Sequence, residues 1–184
     1  METEITLKLF VVLSFILYYI LRIKMTRHFK YSKRLILREI AIFLFLILYL
    51  GSFFDFAKMN LPLILRIFLG IPIFIFGLFI FFWGHRTLGE NWSSIVEKKP
   101  SKPKNLVKTG PYRYVRHPLY TSTFMVIIGL GIIISNWILS LGILLTFTLI
   151  YLIKIPKEER FLIKTFGKRY KDYMQKTGKI FPKL

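Results

Sequence analysis

Apolar residues fall into five long runs separated by polar stretches of very different length. The runs cover about 5–23, 35–54, 61–83, 118–135 and 137–155. A run of roughly twenty apolar residues matches the hydrocarbon thickness of a bilayer in helical form. The pattern therefore predicts an all-α integral membrane protein of about five transmembrane helices. Pro62 suits the start of the third span, and Pro72 inside it predicts a kink. The last two runs meet across Ser135, Asn136 and Trp137, which predicts a tight helical hairpin. The first run follows an acidic start and no small-residue cleavage site follows it, so it is expected to be a retained span.

Two hydrophilic segments remain, 84–117 and 156–184. The first carries Gly, Pro, Asn and Ser punctuation and reads as a structured loop with a short helix. The second begins at Pro156, expected in the first turn of a new helix. Phe161, Leu162, Thr165, Phe166, Tyr170 and Tyr173 follow helical spacing, interrupted at Gly167. This predicts an amphipathic cytoplasmic tail helix on the membrane surface. The organisation is one membrane domain over 1–184, with three N-terminal spans in 1–83 and a site-bearing half in 84–184.

Composition agrees with this division: 54% of residues are hydrophobic, 19 are Phe, and 28 Lys and Arg stand against 9 Asp and Glu, giving a net charge of +19. Those cations cluster between the spans, in the loops after the first and third and in the tail. By the positive-inside rule these segments are cytoplasmic and the N-terminus outside. The same clustering removes the reason to expect a nucleic-acid partner. The chain has no cysteine, which excludes disulfides, thiolate catalysis and Cys-based zinc sites.

Polar groups at the membrane boundary are the candidate chemistry. They are His85–Glu97, the GPYRYVRHPLY stretch of Gly110–Tyr120, and Lys154–Arg160 with Glu158 and Glu159. Each alone has an ordinary explanation: helix anchors, interfacial tyrosines, and carboxylates at a helix start. The hairpin changes the weight. Antiparallel fourth and fifth spans bring Arg116 and His117 to the membrane face that carries Glu158 and Glu159. Acids that meet a basic, aromatic cluster can bind a ligand that has both charges, with aromatic faces for its cation.

These elements resemble the isoprenylcysteine carboxyl methyltransferase family and its prokaryotic relatives over about residues 86–184. The RHPxY element is Arg116, His117, Pro118 and Tyr120; the paired glutamates are Glu158 and Glu159. The FGxxYxxY element is Phe166, Gly167, Tyr170 and Tyr173, and LGxNWS spans Leu88–Ser93. The resemblance implies S-adenosylmethionine as methyl donor, with S-adenosylhomocysteine as product. It implies cofactor contacts from Glu97, Lys104, Asn105, Leu106, Val107, Tyr112, His117, Pro118, Leu119, Tyr120 and Glu158. The implied acceptor is lipophilic, foremost an isoprenylcysteine-like carboxylate reached from the surrounding membrane lipid. Arg116 and Lys154 are the candidates to hold that carboxylate. Family members often carry Arg where Lys154 stands, so the charge is kept and the bidentate fork lost. A phospholipid amine is the alternative acceptor, for which His117 or Glu159 would take the proton. Two other classes remain: an NADPH-dependent sterol-type reductase and a non-enzymatic membrane subunit. The glutamate pair disfavours the phosphate-rich NADPH.

Overall fold

In the computed structural model the described residues are 58–91, 103 and 105–183, with residues 5, 6, 8, 9, 12, 13, 16, 17 and 20 of the first run. The described positions of that run are helical, and Val12 packs against the core. The expected second span lies outside the described residues.

The first long helix, α1, covers Leu63–Leu88. Arg66–Gly70 within it forms a widened π turn, directly before Pro72. Proline has no N–H for the carbonyl four residues back, and a widened turn is a common way for a helix to absorb such a break. The helix runs five residues past the expected end at Trp83, carrying His85 and Arg86 in its last turn. Cations there complement the negative end of the helix dipole. Gly89 then takes φ +50 and ends it.

Helix α2 covers Pro118–Ile134, and α3 covers Trp137–Phe166. Proline at the first helical position sacrifices only an N–H that has no partner in the helix. Ser135 turns the chain with φ 57. Its hydroxyl donates to the Met59 carbonyl at 2.5 Å, and the Met59 amide donates to the Ser135 carbonyl at 2.6 Å. The expected hairpin is thus sewn to the residues that lead into α1. At the same end, buried Arg66 donates Nε to the Ile133 carbonyl at 2.8 Å, satisfying a carbonyl in the last turn of α2.

Contrary to the expectation that Pro156 opens a new helix, it sits inside α3, which runs unbroken for 30 residues. A helix of that length spans about 45 Å, against a hydrocarbon core of about 30 Å. The last turns therefore project past the bilayer core. The carbonyl that Pro156 leaves without a donor belongs to exposed Leu152 near that boundary. Just beyond the proline, Glu158 bonds to Tyr120 in α2, and Glu159 to Arg116 and His117 immediately before that helix. Gly167, with φ +56, ends α3, and a nine-residue helix α4 follows at Lys168–Lys176.

Two of the described helices, Leu63–Leu88 and Ser140–Phe166, are long and apolar enough to cross a membrane. Only 22% and 13% of their most apolar stretches are buried, unlike a soluble core helix.

The core lies between α1 and α2 around Phe74, Ile127, Leu130, Ile133 and Ile134. Gly70, Gly77 and Gly84 recur every seven residues and face Ile133, Val126 and Leu119 in turn. A Cβ on Gly129 would stand 2.6 Å from the Phe74 amide nitrogen. Small residues at such a seam let backbones approach closely, which is how helices gain packing energy in lipid. Gly129→Ala is expected to destabilise the protein by about 1–3 kcal/mol through overpacking. Gly142→Ala, where a Cβ meets nothing within 4 Å, is expected to cause no such loss. Thermal unfolding of the two variants in one detergent checks this.

Candidate functional site

Five pieces of chain meet at the end of α1 opposite Arg66. The first is the segment entering Gly110–Arg113, a tight 3-10 turn. Gly110 has φ +56, and a Cβ there would stand 2.6 Å from the Thr87 hydroxyl and 3.1 Å from the Trp83 indole nitrogen. Glycine thus lets the turn lie against the end of α1. Asn105, just upstream, donates its amide to the Asn91 side-chain oxygen at 2.9 Å. That contact ties the 105–107 stretch to the turn after α1. Leu106 and Val107 are half-buried, whereas Glu97 and Lys104 lie outside the described residues.

The second piece is Tyr112–Tyr120. Tyr112 is buried, and its carbonyl accepts the Tyr173 hydroxyl at 2.5 Å. Burial pushes the Tyr112 phenol up, helped by Tyr173 and the Glu158 charge. Burial likewise raises Tyr173, against the opposing pull of Arg116. Both therefore stay neutral hydrogen-bond donors at physiological pH. Pro118 is fully buried, and Leu119 packs over Gly84.

The third piece is the projecting part of α3. Glu159 is 7% exposed and accepts from Arg116 Nε and Nη2, each at 2.9 Å. Its Oε1 also lies 3.3 Å from His117 Nε2. Glu158 accepts from the Tyr120 hydroxyl, and its other oxygen lies 3.7 Å from His117 Nδ1. One imidazole thus stands between two carboxylates. Lys154 sits one helical turn before Glu158, on the same face, and is half-buried.

The fourth and fifth pieces are α4 and the residues after it. Arg116 Nη1 donates to the Met174 carbonyl at 3.1 Å and to the Thr177 carbonyl. The guanidinium is thereby engaged on both sides within the protein. Its side chain is 7% exposed, and that of Glu158 is 22% exposed. Glu158 is therefore the more accessible of the two carboxylates.

Aromatic rings continue the site into the spans. His117 stacks on Tyr120 at 5.6 Å between centroids, and Tyr120 meets Tyr151 at 4.3 Å. Phe124 and Phe147 surround Tyr151. Tyr151 escaped the sequence reading as a site component, and Asn91, within the candidate stretch His85–Glu97, has no contact of its own in that reading. Tyr151 stands seven residues before Glu158, two helical turns on one face, which is the signal that could have found it.

The structure thus brings together Tyr112, Arg116, His117, Pro118, Tyr120, Lys154, Glu158 and Glu159. Leu119 faces the adjoining α1 seam, and Asn105 is anchored nearby through Asn91. A partly exposed carboxylate, neutral phenols and stacked rings form a surface suited to a cationic, partly apolar ligand.

A family model described as phospholipid methyltransferase matches residues 65–169. The nickel-cobalt-cadmium resistance protein NccN of Alcaligenes xylosoxydans xylosoxydans is 36% identical over 98 residues, 53% of this chain and 45% of that protein. The protein-S-isoprenylcysteine O-methyltransferase of Schizosaccharomyces pombe is 33% identical over 94 residues, 51% of this chain and 40% of that protein. The solved eukaryotic intramembrane Ras methyltransferase ICMT (isoprenylcysteine carboxyl methyltransferase) matches with a TM-score of 0.62 at 26% identity, over 84% of this chain and 54% of that one. The chain spans less than half the length of these curated relatives. The resemblance carried by the RHPLY stretch, the glutamate pair and the tail is met by these matches.

Removing one partner of a buried ion pair leaves the other charge uncompensated. Arg116→Met is expected to cost about 3–5 kcal/mol of stability. Glu159→Gln added to it is expected to recover part of that loss. A double-mutant cycle of unfolding free energies measures the coupling.

Proposed function

The chain belongs to the phospholipid methyltransferase family, and from that premise we propose that it is an S-adenosylmethionine-dependent membrane methyltransferase. Its acceptor is lipophilic, foremost the carboxylate of an isoprenylcysteine-like molecule.

The residues present fit the cofactor. Its amino-acid end carries an ammonium, for which Glu158 is an accessible carboxylate. Its sulfonium is a cation, for which the Tyr120 and Tyr112 rings offer aromatic faces. The 105–107 backbone, His117, Pro118 and Leu119 complete the set of candidate contacts, with Glu97 and Lys104 proposed on the resemblance alone. When bound, the cofactor would supply an electrophilic methyl group.

The protein's own part is positioning and the exclusion of water. Methyl transfer from a sulfonium to a carboxylate disperses opposite charges, so a dry site speeds it. An ionised carboxylate needs no base. Lys154, at the membrane edge of α3, is assigned to hold it. Arg116 and Glu159, turned into the protein, are assigned to orient His117 and Tyr120 instead of touching the acceptor. The observation that carries the carboxylate reading is the burial of both candidate bases. His117 and Glu159 are each 7% exposed and bonded to one another, so neither is free to take a proton from an amine. The basic segments support a cytoplasmic site and an N-terminus outside, with the acceptor arriving sideways from the bilayer.

Transfer from methyl-labelled S-adenosylmethionine to an N-acylated S-prenylcysteine, with the full chain in lipid nanodiscs, tests the acceptor. The expected product is a base-labile methyl ester. Its rate should be flat from pH 6 to 8, because a carboxyl with a pKa of about 3.5 is already ionised there. Base-stable label on phosphatidylethanolamine, rising with pH, would assign the amine reading instead. Glu158→Gln should weaken S-adenosylhomocysteine binding by roughly ten- to a hundredfold, the worth of a hydrogen bond to a charged group. A thermal shift with NADPH alone would move the chain to the reductase class.

A further inference from the structure

Past α4 the chain folds back along the segment that leads into α2. The Arg116 amide donates to the Gly178 carbonyl at 2.8 Å, and the His117 amide to the Lys179 carbonyl at 3.1 Å. The Thr121 hydroxyl donates to the Ile180 carbonyl at 2.6 Å. Val115 and Gly178 pair as a short parallel bridge. With the Arg116 guanidinium on Thr177, four successive carbonyls, 177 to 180, accept from residues 116, 117 or 121.

Gly178 makes this turn possible. A Cβ there would lie 1.7 Å from the Phe181 carbonyl oxygen and 2.8 Å from the Lys183 amide nitrogen. Both are backbone atoms, so no side-chain rotation relieves the clash. Thr177 beside it is buried.

We propose that residues 177–180 are a positioning strap for the cofactor site, with Gly178 as the residue that lets it close. The proposal rests on the cofactor reading above. The Arg116 and His117 amides precede Pro118 and lie outside the α2 ladder, so without the strap they lose their partners. The same two residues carry the side chains that set Glu159 and face Glu158. Loosening the strap therefore frees His117, and with it the stacked Tyr120 that bonds Glu158. None of the strap's carbonyls is assigned a contact with cofactor or acceptor. Coupling is reciprocal, so ligand binding should in turn protect the strapped amides.

The test compares the full chain with Gly178→Ala and with Thr121→Val, which removes the hydroxyl's bond to the Ile180 carbonyl together with its longer contact, 3.3 Å, to the His117 carbonyl within the same turn. Hydrogen–deuterium exchange is followed over 114–121 and over α1, and S-adenosylhomocysteine affinity is measured by calorimetry. In Gly178→Ala, exchange at Arg116 and His117 should rise, affinity should fall at least tenfold, and α1 should exchange as before. Thr121→Val should lose affinity in the same direction, by a few-fold. Added S-adenosylhomocysteine should slow exchange at both amides in the wild type. If Gly178→Ala also loosens α1, the decision passes to Thr121→Val. Affinity within twofold of wild type in the folded variants overturns the strap, whatever exchange does. A wild type that binds no S-adenosylhomocysteine overturns the cofactor reading and the strap with it.

Discussion

Arg116 and Glu159 are two opposite charges taken out of water at the edge of a membrane. Each alone would carry a large desolvation cost there, and their attraction offsets it only if geometry is good and the remaining hydrogen-bonding groups are satisfied. The fold meets both conditions. Glu159 receives two guanidinium nitrogens at 2.9 Å, and the rest of the guanidinium meets the carbonyls of Met174 and Thr177. Those carbonyls lie at the negative end of α4, which suits a cation. One pair therefore joins the start of α2, the projecting turns of α3 and the end of α4. His117 and Tyr120 inherit their places from it, and through them so does Glu158.

The pair can form only if α2 and α3 present their ends at the same height. Two seams hold that height. Near the hairpin, Ser135, Met59 and Arg66 bind the turn to the beginning of α1. Along the bilayer, glycines at 70, 77, 84 and 129 let α1 and α2 touch backbone to backbone. The same seam ends at Leu119, one residue from Tyr120. Helix packing in the membrane and the placing of the site are thus one continuous contact.

Much of this was legible in the residues. The two polar residues between the last spans predicted the hairpin, and the hairpin predicted that Arg116 and His117 would meet Glu158 and Glu159. Pro156 misled because a proline after an apolar run reads most simply as a helix start; the bonds that Glu158 and Glu159 make just past it are tertiary. The glycine seam was written at seven-residue spacing but stood among generic apolar residues, and only the partner helix gives it meaning. The strap was illegible for another reason. Its contacts are backbone carbonyls, which every residue has, so composition carries no sign of them. The second span, Glu97 and Lys104 fall outside the described residues.

The role proposed for Glu158, holding the cationic amino-acid end of the methyl donor, decides whether this site is a cofactor site. The direct measurement is the affinity of S-adenosylhomocysteine against its analogue lacking the α-amino group, for wild type and Glu158→Gln. Losing the amine is expected to weaken binding to wild type by tenfold or more, and to Glu158→Gln hardly at all. Equal losses in both proteins would contradict that role.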